Sequence, residues 1–232
     1  MKSHSTGAVP VIAIDGPAAS GKGTIAQGVA AALGYRYLDS GSLYRLVALE
    51  ATRNKVELDD EPRLAALADR VEPSFDGGRM IVSGRDVTDA IRAEGVSAAA
   101  SRVAVMPRVR TALLTRQRSF RAPPGLVAEG RDMGTVVFPD ARLKIYLTAS
   151  AEARASRRYK QLINKGNSIT IQGLLRDIRE RDRRDSGRAE APLMIAADAL
   201  VLDTTDMTAD AAVAYVLQQY QSLTESGPAG NA

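Results

Sequence analysis

Five short apolar runs punctuate the chain, at Val9–Ile14, Tyr35–Leu38, Leu126–Glu129, Leu143–Thr148 and Ala199–Leu202. The first has the length and β-branched content of a parallel strand buried on both faces. Between the runs lie longer stretches in which apolar residues recur at helical spacing, as at Ile25, Val29 and Leu33. Strands alternating with helices predict an α/β fold with a parallel β-sheet flanked by helices. One segment breaks the rhythm. Val71–Phe75, the turn Asp76-Gly77-Gly78, Met80–Ser83 and Gly84–Val87 predict a short antiparallel meander. With Glu61-Pro62 before it and Pro107 after it, residues 62–106 read as a small lobe inserted into a single domain spanning 9–220. The small, polar ends, 1–8 and 226–232, predict disordered tails.

The first run leads straight into Gly16-Pro17-Ala18-Ala19-Ser20-Gly21-Lys22-Gly23-Thr24. Glycines at 16, 21 and 23 let the backbone turn tightly, so that successive N–H groups converge on a phosphate, and a helix from Thr24 onward aims its positive end at the same point. Lys22 adds a mobile full charge for the β and γ oxygens. The pattern of Gly, four residues, Gly-Lys and then a hydroxyl residue is matched except that Gly23 takes the hydroxyl position and Thr24 follows one residue late. The working premise is a nucleoside triphosphate bound through residues 16–24.

Composition narrows the class. A chain of 232 residues with 45% hydrophobic and 25% charged residues can build and cover one core. With no cysteine there is no disulfide framework or thiolate chemistry, and the single histidine, His4, lies in the polar N-terminal stretch, so the cytoplasm is the expected compartment. No apolar run approaches the roughly 20 residues needed to cross a bilayer. The net charge of +4 is spread among interleaved acids and aromatics are only 4%, which argues against a nucleic-acid partner.

A guanine-reading Asn-Lys-x-Asp is absent: Asn54-Lys55 leads to Glu57 and Asn164-Lys165 to Asn167. What the chain offers instead is fixed positive charge, at Arg45, Arg110, Arg131 and nine arginines between Ala153 and Arg188. Such a set suits two facing phosphates. Arg176, Arg179 and Arg183 alternate with acids and read as a solvated helix face. Arg181 through Arg188 end a helix before Ala191-Pro192, where side chains can reach a ligand.

Ile14-Asp15-Gly16-Pro17 leading into Gly21-Lys22-Gly23-Thr24, then Leu38-Asp39-Ser40-Gly41-Ser42-Leu43-Tyr44-Arg45, Pro107-Arg108-Val109-Arg110, Gly130-Arg131-Asp132-Met133-Gly134-Thr135 and Arg181–Arg188 together resemble the bacterial cytidylate kinases. The resemblance runs from residue 9 to about 220 and implies a P-loop kinase core, an enlarged monophosphate-binding lobe and a short arginine-rich lid at 153–168. The implied reaction is transfer from ATP, with Mg2+, to CMP or dCMP, by a monomer.

The resemblance also assigns residues. Lys22, Arg131, Arg181 and Arg188 would act on the transferring group, and Arg157 and Arg158 in the lid would join residues 16–24 around ATP. Arg45 and Arg131 would grip the CMP phosphate, with Ser40 and Tyr44 lining the pocket. Ser101, Arg110 and Asp132 would read cytosine. Arg181, Asp185 and Arg188 would complete the pocket, with Asp185 facing the sugar hydroxyls. The residue types suit this chemistry. Cytosine presents an amino donor beside ring acceptors, so Asp132 can accept while Arg110 donates, and uracil inverts the pattern at about 1–3 kcal/mol per mismatch. The acceptor phosphate has a second pKa of about 6, so its attacking oxygen needs no general base; the need is for preorganised positive charge and a cover against water. For the metal, Glu129 at a strand end and Thr24 are the candidates, direct or through water, whereas Asp15 and Asp39 read as caps or hydrogen-bond anchors. Two other readings stay open: a P-loop kinase for a different small acceptor, and a regulatory module that hydrolyses ATP slowly.

Overall fold

The computed structural model describes residues 8–76, 78–163, 169–187 and 191–225. Five strands form a fully parallel sheet in the order β2-β6-β1-β7-β8: β1 (Val11–Asp15), β2 (Arg36–Asp39), β6 (Leu126–Gly130), β7 (Leu143–Thr148) and β8 (Leu200–Asp203). The period-two alternation of side chains divides the core. Val11 and Ala13 point to one face with Leu38, Leu126 and Ala128, under α2 (Ser40–Arg53), α3 (Glu61–Arg70) and α6 (Pro107–Ser119). Ile12 and Ile14 point to the other with Val127, Ile145 and Leu147, under α1 (Lys22–Leu33) and α9 (Ala209–Glu225). β1 is wholly buried between the two layers, which is why its run carries no polar residue before Asp15.

The meander is present as β3 (Pro73–Asp76), β4 (Arg79–Val82) and β5 (Arg85–Asp86), paired antiparallel and followed by α4 (Thr88–Arg92) and α5 (Glu94–Val103). Its first strand starts two residues later than its apolar run suggests. Val71 is the C-cap of α3, and it continues the helical stripe of Leu64 and Ala68 into the core. Met80, Val87 and Ile91 join the same cluster as Val11 and Leu43, so the meander segment and the main sheet share a core. After β6 the chain makes a π-helical turn over Met133–Val137, in which the N–H groups of Val137 and Phe138 reach back five residues to the carbonyls of Asp132 and Met133. α7 (Ala151–Ile163) and α8 (Ile171–Ser186) pack through Ala155, Leu174 and Ile178. The tails 1–7 and 226–232, residues 164–168 of the expected lid, Gly77 of the turn and Arg188 lie outside the described residues. Among the described residues no helix is long and apolar enough to cross a membrane.

Candidate active site

The loop 16–21 joins the carboxyl end of β1 to the amino end of α1, at the edge where ligands of open α/β sheets bind. A Cβ on Gly16 would stand 2.1 Å from the carbonyl oxygen of Leu147, so only glycine lets the loop leave the sheet so close to β7. Ala19 sits at φ 58°, left-handed, at a cost of about 1–2 kcal/mol for a residue with a Cβ. Gly21 at φ 93° starts α1 at Lys22, two residues earlier than expected. The loop is built to receive something. The Ser20 hydroxyl is buried with no hydrogen-bond partner among the described residues, which costs about 1–3 kcal/mol until a ligand atom fills the role. Lys22 is buried with its amine donating to the carbonyl of Pro17 at 2.8 Å. Burial, reinforced by Arg131, pushes its pKa down to about 7, a penalty that an incoming phosphate anion would reverse. Thr24 is exposed on the first turn of α1.

β6 neighbours β1 in the sheet, pairing Glu129 with Ile14 on one side and with Asp39 of β2 on the other. Glu129 therefore stands beside the loop. Its Oε1 lies 3.0 Å from where a Cβ on Gly23 would be, and it accepts the Tyr37 hydroxyl at 2.8 Å. A side chain at 23 would crowd this carboxylate, which would have to shift by a few tenths of an ångström to admit a serine or threonine. Burial, then the nearby Asp39, pushes the Glu129 pKa up to about 6, outweighing the opposing pull of Lys22 and Arg131. A buried hard oxygen here fits magnesium, which takes one or two carboxylates and fills its shell with phosphate oxygens and water. Among the described residues no cluster of three His, Cys, Asp or Glu could hold a metal by itself. Asp39 caps α2 by accepting from the Ser42 N–H at 3.0 Å, and Asp15 accepts the N–H groups of Met133 and Gly134 at 2.8 Å each, so both serve as anchors. Burial pushes the Asp15 pKa up to about 6 against those two bonds.

The residues expected on the acceptor side arrive from five elements. Ser40, Tyr44 and Arg45 come from α2, with Arg45 3.7 Å from the Asp39 carboxylate. Arg131 and Asp132 follow β6, Ser101 lies on α5 and Arg110 on α6. Arg110 is ion-paired with Asp132, donates to the carbonyl of Ala104 at 3.2 Å and stands 6.0 Å over the Tyr44 ring. α8 contributes Arg181 and Asp185 on the stripe that continues Leu174 and Ile178. Asp185 is fully buried and accepts Arg131 Nε at 2.7 Å. Arg176, Arg179 and Arg183 are exposed, as a solvated face requires.

Three functional contacts escaped the sequence. Arg184 of α8 donates to the Ser101 hydroxyl at 3.1 Å, tying α8 to α5. Arg154, grouped by sequence with the lid arginines, is buried and grips both oxygens of Asp182 at 2.9 and 2.6 Å, with further bonds to the carbonyls of Ala18 and Ala149. It fastens the phosphate loop to α8. Tyr37 holds Glu129. No local pattern marks any of the three, because each partner is distant in sequence. Arg157 reaches the Thr204 and Thr205 carbonyls after β8, and Arg158 is half-buried on α7.

A phosphate loop opening a helix at the carboxyl edge of a parallel sheet, faced by arginines from several elements, defines a P-loop kinase. The family follows from comparison with known proteins. Residues 12–222 match the family model described as Cytidylate kinase. A cytidylate kinase of Bordetella bronchiseptica is 58% identical over 220 residues, covering 95% of this chain and 99% of the relative. One of Chromobacterium violaceum is 55% identical over 219 residues, covering 94% and 99%. Among solved structures, a gluconokinase from Sinorhizobium meliloti 1021 aligns over 95% of this chain and 98% of its own at 13% identity and a TM-score of 0.48, values too low to bear on function. The chain belongs to the cytidylate kinase family.

Proposed function

We propose that the protein transfers the γ-phosphoryl group of ATP to the phosphate of CMP or dCMP, yielding ADP and CDP or dCDP. The bond from the γ phosphorus to the β–γ bridging oxygen breaks as a bond to an acceptor phosphate oxygen forms. The carrying observation is that the Arg110–Asp132 pair, a donor beside an acceptor, stands at the same sheet edge as the phosphate loop. That pair matches the hydrogen-bonding edge of cytosine and mismatches that of uracil. Arg45 and Arg131 hold the acceptor phosphate, Ser40 and Tyr44 line its pocket, and Ser101 joins the base contacts. Lys22, Arg131 and Arg181 stabilise the transferring group, with Arg188 expected beside them. The acceptor oxygen is ionised near neutral pH, so the chain supplies position and charge rather than a base.

Gly16 through Thr24 hold the triphosphate. Magnesium, which would be held by Glu129 and Thr24 directly or through water, neutralises phosphate charge when it is bound. The lid expected over 153–168 would serve as the cover, with Arg157 and Arg158 reaching the donor, while Arg154 is held by Asp182 and the Ala18 carbonyl. The protein acts as a cytoplasmic monomer on free nucleotides, with neither nucleic acid nor membrane as partner. The test is ADP formation from ATP and magnesium with CMP, dCMP, UMP, AMP or no acceptor. Turnover strongly favouring CMP and dCMP is expected. Equal turnover with UMP discards the base-reading pair, and acceptor-independent hydrolysis overturns the kinase reading.

A further inference from the structure

Tyr37 is the meeting point of three elements. Its hydroxyl donates to Glu129 Oε1 at 2.8 Å, and the side chain of Gln27 on α1 lines the same small cavity as the Tyr37 side chain. Its ring packs edge-on against Phe75 of β3, centroids 5.7 Å apart, and Phe75 in turn contacts Phe120 at 5.5 Å. The meander touches Gln27 as well. Gly78 at its turn, at φ 78°, lies so close to Gln27 that a Cβ there would stand 2.9 Å from the amide nitrogen. A small cavity lined by Gln27, Tyr37, Asp39, Phe75, Met80 and Arg92 runs along this seam. The meander therefore meets the Tyr37 ring while the donor-side carboxylate accepts its hydroxyl.

The Glu129 carboxylate lies beside the bare backbone of Gly23, where a Cβ would come within 3.0 Å of Oε1, and the Tyr37 hydroxyl holds that same oxygen. A glutamate has one more rotatable bond than an aspartate, so a carboxylate of this length needs an external hold to be preorganised. Tyr37 supplies that hold, and its own position depends on how the meander seats against α1.

We infer that Tyr37 is a positioning residue that couples the seating of the meander lobe to the Glu129 carboxylate, and so links acceptor binding to binding of the metal–triphosphate. The inference rests on the proposed kinase function. In the test, the full-length protein and its Tyr37→Phe and Phe75→Leu variants are titrated calorimetrically with a non-hydrolysable ATP analogue, with and without magnesium and with and without CMP. Tyr37→Phe is expected to reduce the magnesium-dependent gain in affinity about tenfold, to leave metal-free affinity within about twofold, and to diminish the effect of CMP on analogue binding. Phe75→Leu keeps the hydroxyl bond, so it retains the magnesium gain and loses the CMP effect. A Tyr37→Phe protein with the wild-type magnesium gain overturns the inference. If that variant does not fold, an unchanged CMP effect in Phe75→Leu overturns it. A wild-type protein that binds neither CMP nor the analogue overturns the functional reading itself.

Discussion

Arg131 Nε donates to Asp185 Oδ2 at 2.7 Å, and the receiving carboxylate has no solvent exposure. Asp185 thereby fixes the fork of the arginine proposed to hold the acceptor phosphate. Removing a buried ionic partner costs about 3–5 kcal/mol, and the loss falls on whatever acceptor Arg131 holds. Asp185→Ala is expected to lower kcat/KM for CMP and dCMP alike, by about 10²-fold, with their ratio shifted less than about threefold. Steady-state kinetics with both acceptors check this. A large change in the ratio assigns the carboxylate to the sugar instead.

Arg154 is 5% exposed and makes a two-pronged pair with Asp182 while bonding the Ala18 carbonyl of the phosphate loop. Arg154→Ala leaves Asp182 and two carbonyls without their donor, for a loss of about 3 kcal/mol and a fall in Tm of about 6–12 °C. Arg154→Lys keeps the charge but not the fork, and is expected to recover only part of the loss. Thermal unfolding of both variants measures it; a Tm within about 2 °C of wild type for the alanine variant contradicts the anchoring role.

Gly23 is the position where a hydroxyl residue is more usual. Gly23→Ser places a Cβ 3.0 Å from Glu129 Oε1, with the Tyr37 oxygen 3.8 Å away. Restoring the common pattern is therefore expected to displace the carboxylate and lower kcat/KM about tenfold. In the double variant with Tyr37→Phe the two losses add to less than their sum, since both act on one carboxylate. Strict additivity in a double-mutant cycle counts against this arrangement.

Asp15 links stability to pH. Burial raises its pKa from an ordinary 3.8 to about 6 in the folded state, so between these values the folded chain holds a proton that the unfolded chain has released. The contribution is fully present below pH 4 and is lost as pH rises through 6, a penalty of about 3 kcal/mol above that. Asp15→Asn removes the titration while weakening the bonds from Met133 and Gly134. Its stability relative to wild type is expected to improve from pH 4 to 6 and then stay level, as read from urea midpoints. A difference that is flat across pH 4–7 refutes the assignment.

The parallel sheet, the phosphate loop and the meander were legible in the chain because each is written in short-range pattern. β1 is an apolar run ending at a turn, the loop is fixed by glycines at set spacing, and the meander is three short segments joined by glycine turns. The resemblance supplied the acceptor residues by motif, and Arg110 with Asp132 meet as a pair 22 positions apart. Partner choice among the remaining charges was not legible. Arg154 in a lid-like stretch, Asp185 in an acidic and basic helix end, and Tyr37 in a short strand carry no local mark of their partners, which lie 28, 54 and 92 residues away. The amino-acid sequence determined the elements and the donor chemistry, since backbone preference and side-chain periodicity act over a few residues. Only the tertiary structure decided which carboxylate each arginine and phenol holds, because those choices arise from burial: inside the packed core, each polar group must take the partner that the fold brings within hydrogen-bond reach.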